Sequence, residues 1–190
     1  KGCVYAFEPV PRNFERLMRN LKVNQVKNVK AYNFGLSDRD EVLPVYVPND
    51  NPGEATLYQE SYSEITKGIK MEKEKVNVRL IPFDSFYEGN ALDRINVVKM
   101  DVEGAELNVL KGMENTLSQN SCKLFMEVNA PLLNLSGVSI EDLFEFLISL
   151  GFKTCFLVDL ESKINLLQVN SEKIKEIFDN RSINVILEHS

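Results

Sequence analysis

The stretch that decides the fold is Val97-Val98-Lys99-Met100-Asp101-Val102-Glu103-Gly104-Ala105-Glu106. The nearly continuous apolar run from Ile95 to Met100 predicts a strand that helices cover on both faces. A carboxylate, Asp101, follows that run at once, and helix-start chemistry comes after it. Ligands of open α/β sheets bind beyond the carboxyl ends of the strands, so Asp101 is predicted to lie at a binding crevice.

A second acidic strand end lies near the start of the chain, at residues 4–9, which read Val-Tyr-Ala-Phe-Glu-Pro. Pro11 follows, and proline is well suited to the first turn of a helix. In nucleoside-binding α/β units, an acid placed like Glu8 lies about 20 residues after a glycine-rich turn. That turn would fall before Lys1, so we expect the first strand of the sheet to be absent from this chain.

Apolar periodicities further along the chain predict strands and helices in alternation. This pattern indicates an α/β fold with a mainly parallel sheet, built as one domain over residues 1–190. Residues 48–75 combine a turn cluster with a Lys- and Glu-rich run, and they are predicted to form a surface insertion or lid.

Composition limits the function classes. The net charge of −6 argues against nucleic acid or an anionic membrane as the main partner. No apolar run approaches the roughly 20 residues of a membrane-spanning helix, and the three cysteines have no paired spacing. We therefore expect a cytoplasmic protein with reduced thiols. The single histidine argues against a two-histidine zinc site, and no metal site is predicted.

Several short motifs follow one another in a fixed order along about residues 8–130. They are Ala6-Phe7-Glu8-Pro9, Leu36-Ser37-Asp38, Asn51-Pro52-Gly53, Lys99 to Glu106, Leu110-Lys111-Gly112 and Met126-Glu127. In this combination the chain resembles the FkbM family of methyltransferases. The resemblance implies a Rossmann-like class I methyltransferase sheet with a reversed last strand, and S-adenosyl-L-methionine as the cofactor. It also implies methylation of a hydroxyl on a sugar, a polyketide or a similar small molecule.

The resemblance assigns the cofactor site to a set of strand-end and turn residues: Phe7, Glu8, Pro9, Ser37, Asp38 and Asp101. Glu8 would accept hydrogen bonds from both ribose hydroxyls, because an ionised carboxylate is a bidentate acceptor. The alternative for Glu8 is a solvated strand-end carboxylate. Asp38 would contact the adenine amino group, or else only stabilise its own turn.

Transfer of a methyl group to an aliphatic hydroxyl benefits from a carboxylate that takes the hydroxyl proton. The candidates are Asp101, Glu103 and Glu127, and the sequence does not rank them. Asp101 has the alternative role of capping the following helix, and Glu103 could serve the helix dipole instead. Asn129, near Glu127, is predicted to orient a substrate by hydrogen bonds.

Two other functions stay open on the sequence alone. A nicotinamide-dependent oxidoreductase would also place an acid at Glu8, although it would need an upstream glycine-rich fingerprint and a proton donor. A non-catalytic interaction domain is the other alternative, because the glycine-rich loop of the first strand is missing. The sequence leaves the acceptor and the oligomeric state undetermined.

Overall fold

The computed structural model describes residues 2–92 and 94–189. Its strands are β1 Val4–Phe7, β2 Val29–Tyr32, β3 Gly35–Leu36, β4 Glu41–Pro48, β5 Lys73–Ile81, β6 Val97–Met100, β7 Lys123–Asn129, β8 Thr154–Leu157, β9 Ser162–Asn165 and β10 Ser182–Glu188. Its helices are α1 Pro11–Val23, α2 Tyr62–Lys67, α3 Phe83–Gly89, α4 Glu106–Lys111, α5 Glu114–Gln119, α6 Ala130–Leu135, α7 Ile140–Ser149 and α8 Ser171–Phe178. Strands and helices alternate, so the predicted α/β class is confirmed.

The largest sheet has five strands in the order β6-β7-β10-β8-β9. Strands β6 and β7 are parallel, with Met100 opposite Met126. Strand β10 runs antiparallel to both of its neighbours, β7 and β8, which confirms the reversed last strand. Strand β9 adds a further antiparallel pair to β8, so the sheet is mixed.

Two smaller sheets hold the first half of the chain. Strands β1 and β2 form a parallel pair, and β3, β5 and β4 form a three-stranded sheet. Among the described residues, β1 pairs only with β2, and β6 pairs only with β7. The two acidic strand ends therefore belong to separate sheets.

The main core is built where the helices pack on the five-stranded sheet. Four apolar residues recur at helical spacing after Gly104, and all of them are buried: Leu107, Leu110, Met113 and Leu117. The segment is two short helices, α4 and α5, that meet at Gly112. A Cβ atom on Gly112 would overlap the backbone carbonyl of Ser37, so this close approach requires glycine.

The segment after β4, predicted as a surface insertion or lid, is locally ordered. Pro52–Glu54 forms a single 3-10 turn, and α2 begins with a capping box between Ser61 and Glu64. Gly68 ends α2 in the left-handed conformation, and α2 packs against α6. Ser61 is fully buried, so this segment is a packed part of the fold.

Candidate active site

The loop between β6 and α4 carries the acids that the sequence singles out. Because Met100 lies opposite Met126 in a parallel pair, Asp101 and Glu127 are the next residues along two neighbouring strands. After Asp101 the backbone turns sharply: Glu103 has φ +47° and Gly104 has φ +94°. A left-handed conformation costs a non-glycine residue roughly 1–2 kcal/mol, so other contacts must stabilise Glu103 there.

Glu103 is held at the centre of this loop. Its Oε2 accepts a hydrogen bond of 3.1 Å from Nδ2 of Asn129, at the end of β7. Burial raises the pKa of the Glu103 carboxyl to about 8, and four neighbouring carboxyls add to the shift: Glu127, Asp101, Glu54 and Glu106. A group with this pKa holds a proton below about pH 8 and releases it above.

Glu106 supports the turn from inside. Its side chain is fully buried, and its Oε1 accepts a hydrogen bond of 3.1 Å from the backbone N–H of Gly104. Its Oε2 is buried and has no hydrogen-bond partner within the described part of the chain. Burial is the main reason that the pKa of Glu106 rises to about 7. Glu106 lies in the first turn of α4, so it also meets the helix dipole.

The other two candidate bases have polar partners of their own. Asp101 is half exposed, and its Oδ2 lies 2.9 Å from Nζ of Lys99. Helix α4 begins at Glu106, with Ala105 as its N-cap, so Asp101 does not cap it. Glu127 Oε1 accepts a hydrogen bond of 2.6 Å from the hydroxyl of Ser182 on β10. We call Asp101, Glu103 and Glu127 the acidic cluster.

Asn129 has a different role from the predicted one. Its Nδ2 donates to Glu103, and its Oδ1 accepts a hydrogen bond of 3.3 Å from the backbone N–H of Leu132. Asn129 therefore caps α6 while it fixes Glu103. Its side chain is 2% exposed, so its polar atoms are engaged with the protein itself.

Three residues of the segment after β4 reach the loop, and the sequence analysis did not identify them. Thr56 and Tyr58 donate hydrogen bonds to the backbone of Glu103 and Gly104, and Glu54 adds a nearby negative charge. Glu54 and Thr56 follow the Asn51-Pro52-Gly53 motif, which carried part of the family resemblance. Their place next to this motif was the only sequence signal for these residues. Contacts between residues 46 and 47 positions apart leave no local pattern in the sequence.

The predicted cofactor residues at the end of β1 lie in a separate place. Glu8 Oε1 accepts a hydrogen bond of 2.8 Å from the backbone N–H of Val10, at the start of α1. Burial raises the pKa of the Glu8 carboxyl, and the Val10 bond opposes this shift. The Phe7 ring packs in an aromatic cluster that joins the β1–β2 sheet to α3: Tyr5, Tyr32, Phe34, Phe83 and Phe86. Pro9 lies close to Gly35.

Ser37 and Asp38 form a self-contained turn. Arg39 contacts both oxygens of Asp38, at 3.1 and 3.0 Å, and this contact is the main reason that the pKa of Asp38 falls. The Ser37 hydroxyl lies within hydrogen-bond distance of Asp38 and Glu41. No hydrogen bond or ion pair described here joins Glu8 or Asp38 to the acidic cluster.

Residues 2–92 and 94–189 contain neither a cluster of metal-binding side chains nor a helix that could span a membrane. No group of three or more histidine, cysteine, aspartate or glutamate side chains is arranged to hold a metal ion there. No helix in that part of the chain has the length and apolar character needed to cross a membrane.

Comparison with known proteins identifies the family. Residues 1–154 match the family model described as the Methyltransferase FkbM domain. Methyltransferase 1 of Beauveria bassiana is 33% identical over 125 residues, which cover 60% of this chain and 50% of that protein. Methyltransferase sdnD of Sordaria araneosa is 35% identical over 133 residues, covering 58% of this chain and 51% of that protein.

A third relative and one solved structure extend this likeness. Hexuronic acid methyltransferase AglP of Haloferax volcanii is 32% identical over 130 residues, covering 68% of this chain and 48% of that protein. The chain thus spans about half the length of these relatives. The crystal structure of methyltransferase FkbM from Methylobacillus flagellatus aligns with 97% of this chain and 36% of its own, with a TM-score of 0.55 and 16% identity. That match supports the Rossmann-like class I fold.

Proposed function

The chain belongs to the FkbM family of methyltransferases, and we propose that it methylates a hydroxyl of a sugar or a similar small molecule, with S-adenosyl-L-methionine as the donor. The observation that carries this proposal is the Glu103 carboxyl, which is held at the strand ends with its pKa raised to about 8. The match to a methyltransferase family also argues against the nicotinamide-dependent oxidoreductase.

Glu8 is the residue that best fits the ribose of the donor. It ends β1, as the acid of a nucleoside-binding unit does. Among the described residues, its carboxylate accepts a single hydrogen bond, on Oε1. The remaining lone pairs suit a pair of ribose hydroxyls. Asp38 fits less well, because Arg39 already contacts both of its oxygens.

The acidic cluster fits the transfer itself. The donor supplies an electrophilic methyl group on a positively charged sulfur. Glu103 would take the proton of the acceptor hydroxyl while the oxygen of that hydroxyl receives the methyl group and the sulfur keeps the bonding electron pair. A base is most effective when its pKa is near the working pH, which favours Glu103 over the exposed, Lys99-paired Asp101. Asp101 and Glu127 would then bind acceptor hydroxyls.

A sugar is the favoured acceptor class. Carboxylates accept hydrogen bonds from hydroxyls, and several of them around one point suit a molecule with several hydroxyls. The similarity to a protein named as a hexuronic acid methyltransferase supports the same choice. We also propose a cytoplasmic location, which the free thiols of Cys3, Cys122 and Cys155 support.

The proposal is tested with the complete protein, S-adenosyl-L-methionine and a panel of p-nitrophenyl glycosides. We expect a product with one added methyl group, which NMR locates on a ring hydroxyl oxygen. Methylation of a carboxyl or an amine instead, or no binding of S-adenosylhomocysteine in calorimetry, would overturn the proposal.

The choice of base is tested with Glu103→Gln and Asp101→Asn. Glu103→Gln keeps the hydrogen bond from Asn129 but removes the proton acceptor, so the single-turnover rate should fall roughly 100-fold or more. Asp101→Asn should have a smaller effect. Glu145→Gln, an exposed position on α7, is the matched control and should keep the full rate. A larger loss in Asp101→Asn than in Glu103→Gln would reverse the assignment.

A further inference from the structure

The left-handed turn at Glu103 and Gly104 is held from a distant part of the chain. The Thr56 hydroxyl donates a hydrogen bond of 2.9 Å to the carbonyl of Glu103. The Tyr58 hydroxyl donates a hydrogen bond of 3.1 Å to the carbonyl of Gly104. Two consecutive carbonyls, both on residues with positive φ, thus have side-chain donors from one short segment.

Thr56 is itself fixed before it reaches the turn. Its backbone exchanges two hydrogen bonds with Tyr46 of β4, at 2.8 and 3.1 Å. Its side chain is 2% exposed, and Oγ1 also accepts a hydrogen bond of 3.4 Å from the backbone N–H of Tyr58. A threonine hydroxyl has one proton to donate, and here that proton goes to Glu103. Thr56 therefore links β4 to the Glu103–Gly104 turn by hydrogen bonds at both ends.

Tyr58 limits the turn by contact as well as by its hydroxyl. A Cβ atom on Gly104 would lie 2.8 Å from Cε2 of Tyr58 and 2.7 Å from Cβ of Leu132. Gly104 is therefore enclosed between the tyrosine ring and α6. A side chain at this position would overlap both neighbours, so the turn requires glycine here.

We propose that Thr56 and Tyr58 are positioning residues, which hold the Glu103–Gly104 turn in its left-handed form and so keep the Glu103 carboxyl against Asn129. The backbone of Glu103 is strained, and it relaxes towards negative φ when the two carbonyls lose their donors. A rotation of that kind moves the side chain away from Asn129 and towards water. The effect on methyl transfer rests on the proposed function, but the effect on the position of Glu103 does not.

The position of Glu103 can be read from its titration. The charged groups that face Glu103 are all acidic: Glu54 from the segment after β4, Asp101 and Glu106 from its own loop, and Glu127 from β7. Lys99 pairs with Asp101 and partly offsets that one charge. Removal of the two hydroxyls changes none of these charges. A lower midpoint for Glu103 would therefore report that its carboxyl has moved to water.

The test compares the complete protein with Thr56→Val, Tyr58→Phe and the double variant. Carboxyl-carbon NMR on glutamate-labelled protein follows the midpoint, and Glu103→Gln identifies the resonance. We expect the midpoint to fall by about one unit or more in the double variant, and less in each single one. With a p-nitrophenyl glycoside as acceptor, the single-turnover rate should fall roughly tenfold per hydroxyl.

Two controls separate positioning from a general loss of structure. Thr56→Ser keeps the hydroxyl, so it should keep the parent midpoint. The pair Tyr62→Phe and Thr66→Val also removes two hydroxyls from the same segment, but the Thr66 hydrogen bond, of 2.7 Å to the Tyr62 carbonyl, stays within α2. This pair should leave Glu103 unchanged.

The outcomes are distinct for the two proposals. A lower midpoint in Thr56→Val or in the double variant supports the positioning role, even when the parent protein methylates no glycoside. In that case only the proposed function fails. A Glu103 midpoint that stays at the parent value in both single variants and in the double variant overturns the positioning role.

Discussion

The unit β1–α1–β2 and the five-stranded sheet differ in how deeply their residues are buried. Among residues 2–32 Val10 alone is buried, and Val4, Met18 and Val23 are 49%, 46% and 73% exposed. In β7 and β10, by contrast, every second residue is buried: Leu124, Met126, Val128, Ile183, Val185 and Leu187. The first unit contacts the rest of the molecule through the aromatic cluster around Phe7 and through Val10, which packs against apolar side chains of β4 and β5.

The residue proposed to bind the cofactor and the residues proposed to act in methyl transfer lie in regions that differ in this way. Glu8, the candidate ribose ligand, belongs to the weakly packed unit, whereas the acidic cluster lies where β6 and β7 meet the main core. Regions with few buried apolar contacts open locally at a low free energy. We therefore expect the β1–α1–β2 unit to open more readily than the turn at Glu103.

The first prediction compares one leucine from each region. Leu147 on α7 is fully buried, so Leu147→Ala should lower the free energy of unfolding by about 2–5 kcal/mol. Leu21 on α1 is only partly buried, so Leu21→Ala should lower it by about 1 kcal/mol. Urea titration followed by circular dichroism measures both. Equal losses in the two variants would show that the first unit is packed as firmly as the sheet.

The second prediction concerns a weak point inside the well-packed region. Burial raises the pKa of Glu106 to about 7, above the ordinary value of 4.5. Between these values the folded protein binds more protons than the unfolded chain, so its stability falls as the pH rises. Each pKa unit corresponds to about 1.4 kcal/mol, which makes the loss above pH 7 roughly 3 kcal/mol.

Glu106→Gln should remove this dependence, because glutamine stays neutral and can still accept from the N–H of Gly104. The variant should be more stable than the parent at pH 8, with a smaller difference at pH 5. Urea unfolding at the two pH values measures this. Glu103→Gln is the necessary companion, since the raised pKa of Glu103 acts in the same direction. If Glu106→Gln and the parent show the same pH dependence of stability, a group other than Glu106 binds the proton responsible for it.

Much of the fold could be predicted, because its signals are local. The apolar positions from Leu107 to Leu117 recur at helical spacing, and all of them are buried. The antiparallel pairing of β8 with β9 could not be predicted, since it depends on a chain reversal without a distinctive motif. The short helices α2 and α6 were not predicted either, because six residues are too few for a clear periodicity.

The site was predictable in part. The sequence identified Asp101 and Glu127 as candidate bases, and the parallel pairing of β6 with β7 places them at neighbouring strand ends. The special state of Glu103 was not predictable, because it depends on burial and on carboxyls from three parts of the chain. The contacts of Thr56 and Tyr58 with the turn likewise exist only after folding.

The third prediction tests the role of the weakly packed unit directly. Glu8→Ala should weaken the binding of S-adenosylhomocysteine by one to two orders of magnitude, because two charge-assisted hydrogen bonds are worth about 1.5–3 kcal/mol. Isothermal calorimetry on the complete protein gives the two affinities. Equal affinities would remove Glu8 from the cofactor site and leave it only as the hydrogen-bond acceptor of the Val10 N–H before α1.

Two further variants separate these roles of Glu8. Glu8→Gln can still accept the hydrogen bond from Val10, so it keeps the start of α1 while it removes the charge. Glu15→Ala removes an exposed carboxylate from α1 and should leave the affinity unchanged. If Glu8→Gln binds S-adenosylhomocysteine as weakly as Glu8→Ala does, the negative charge of Glu8 accounts for most of its contribution to the affinity. If it binds like the parent while Glu8→Ala does not, the main effect of Glu8 is to fix the junction between β1 and α1, and the cofactor depends on the order of the whole unit.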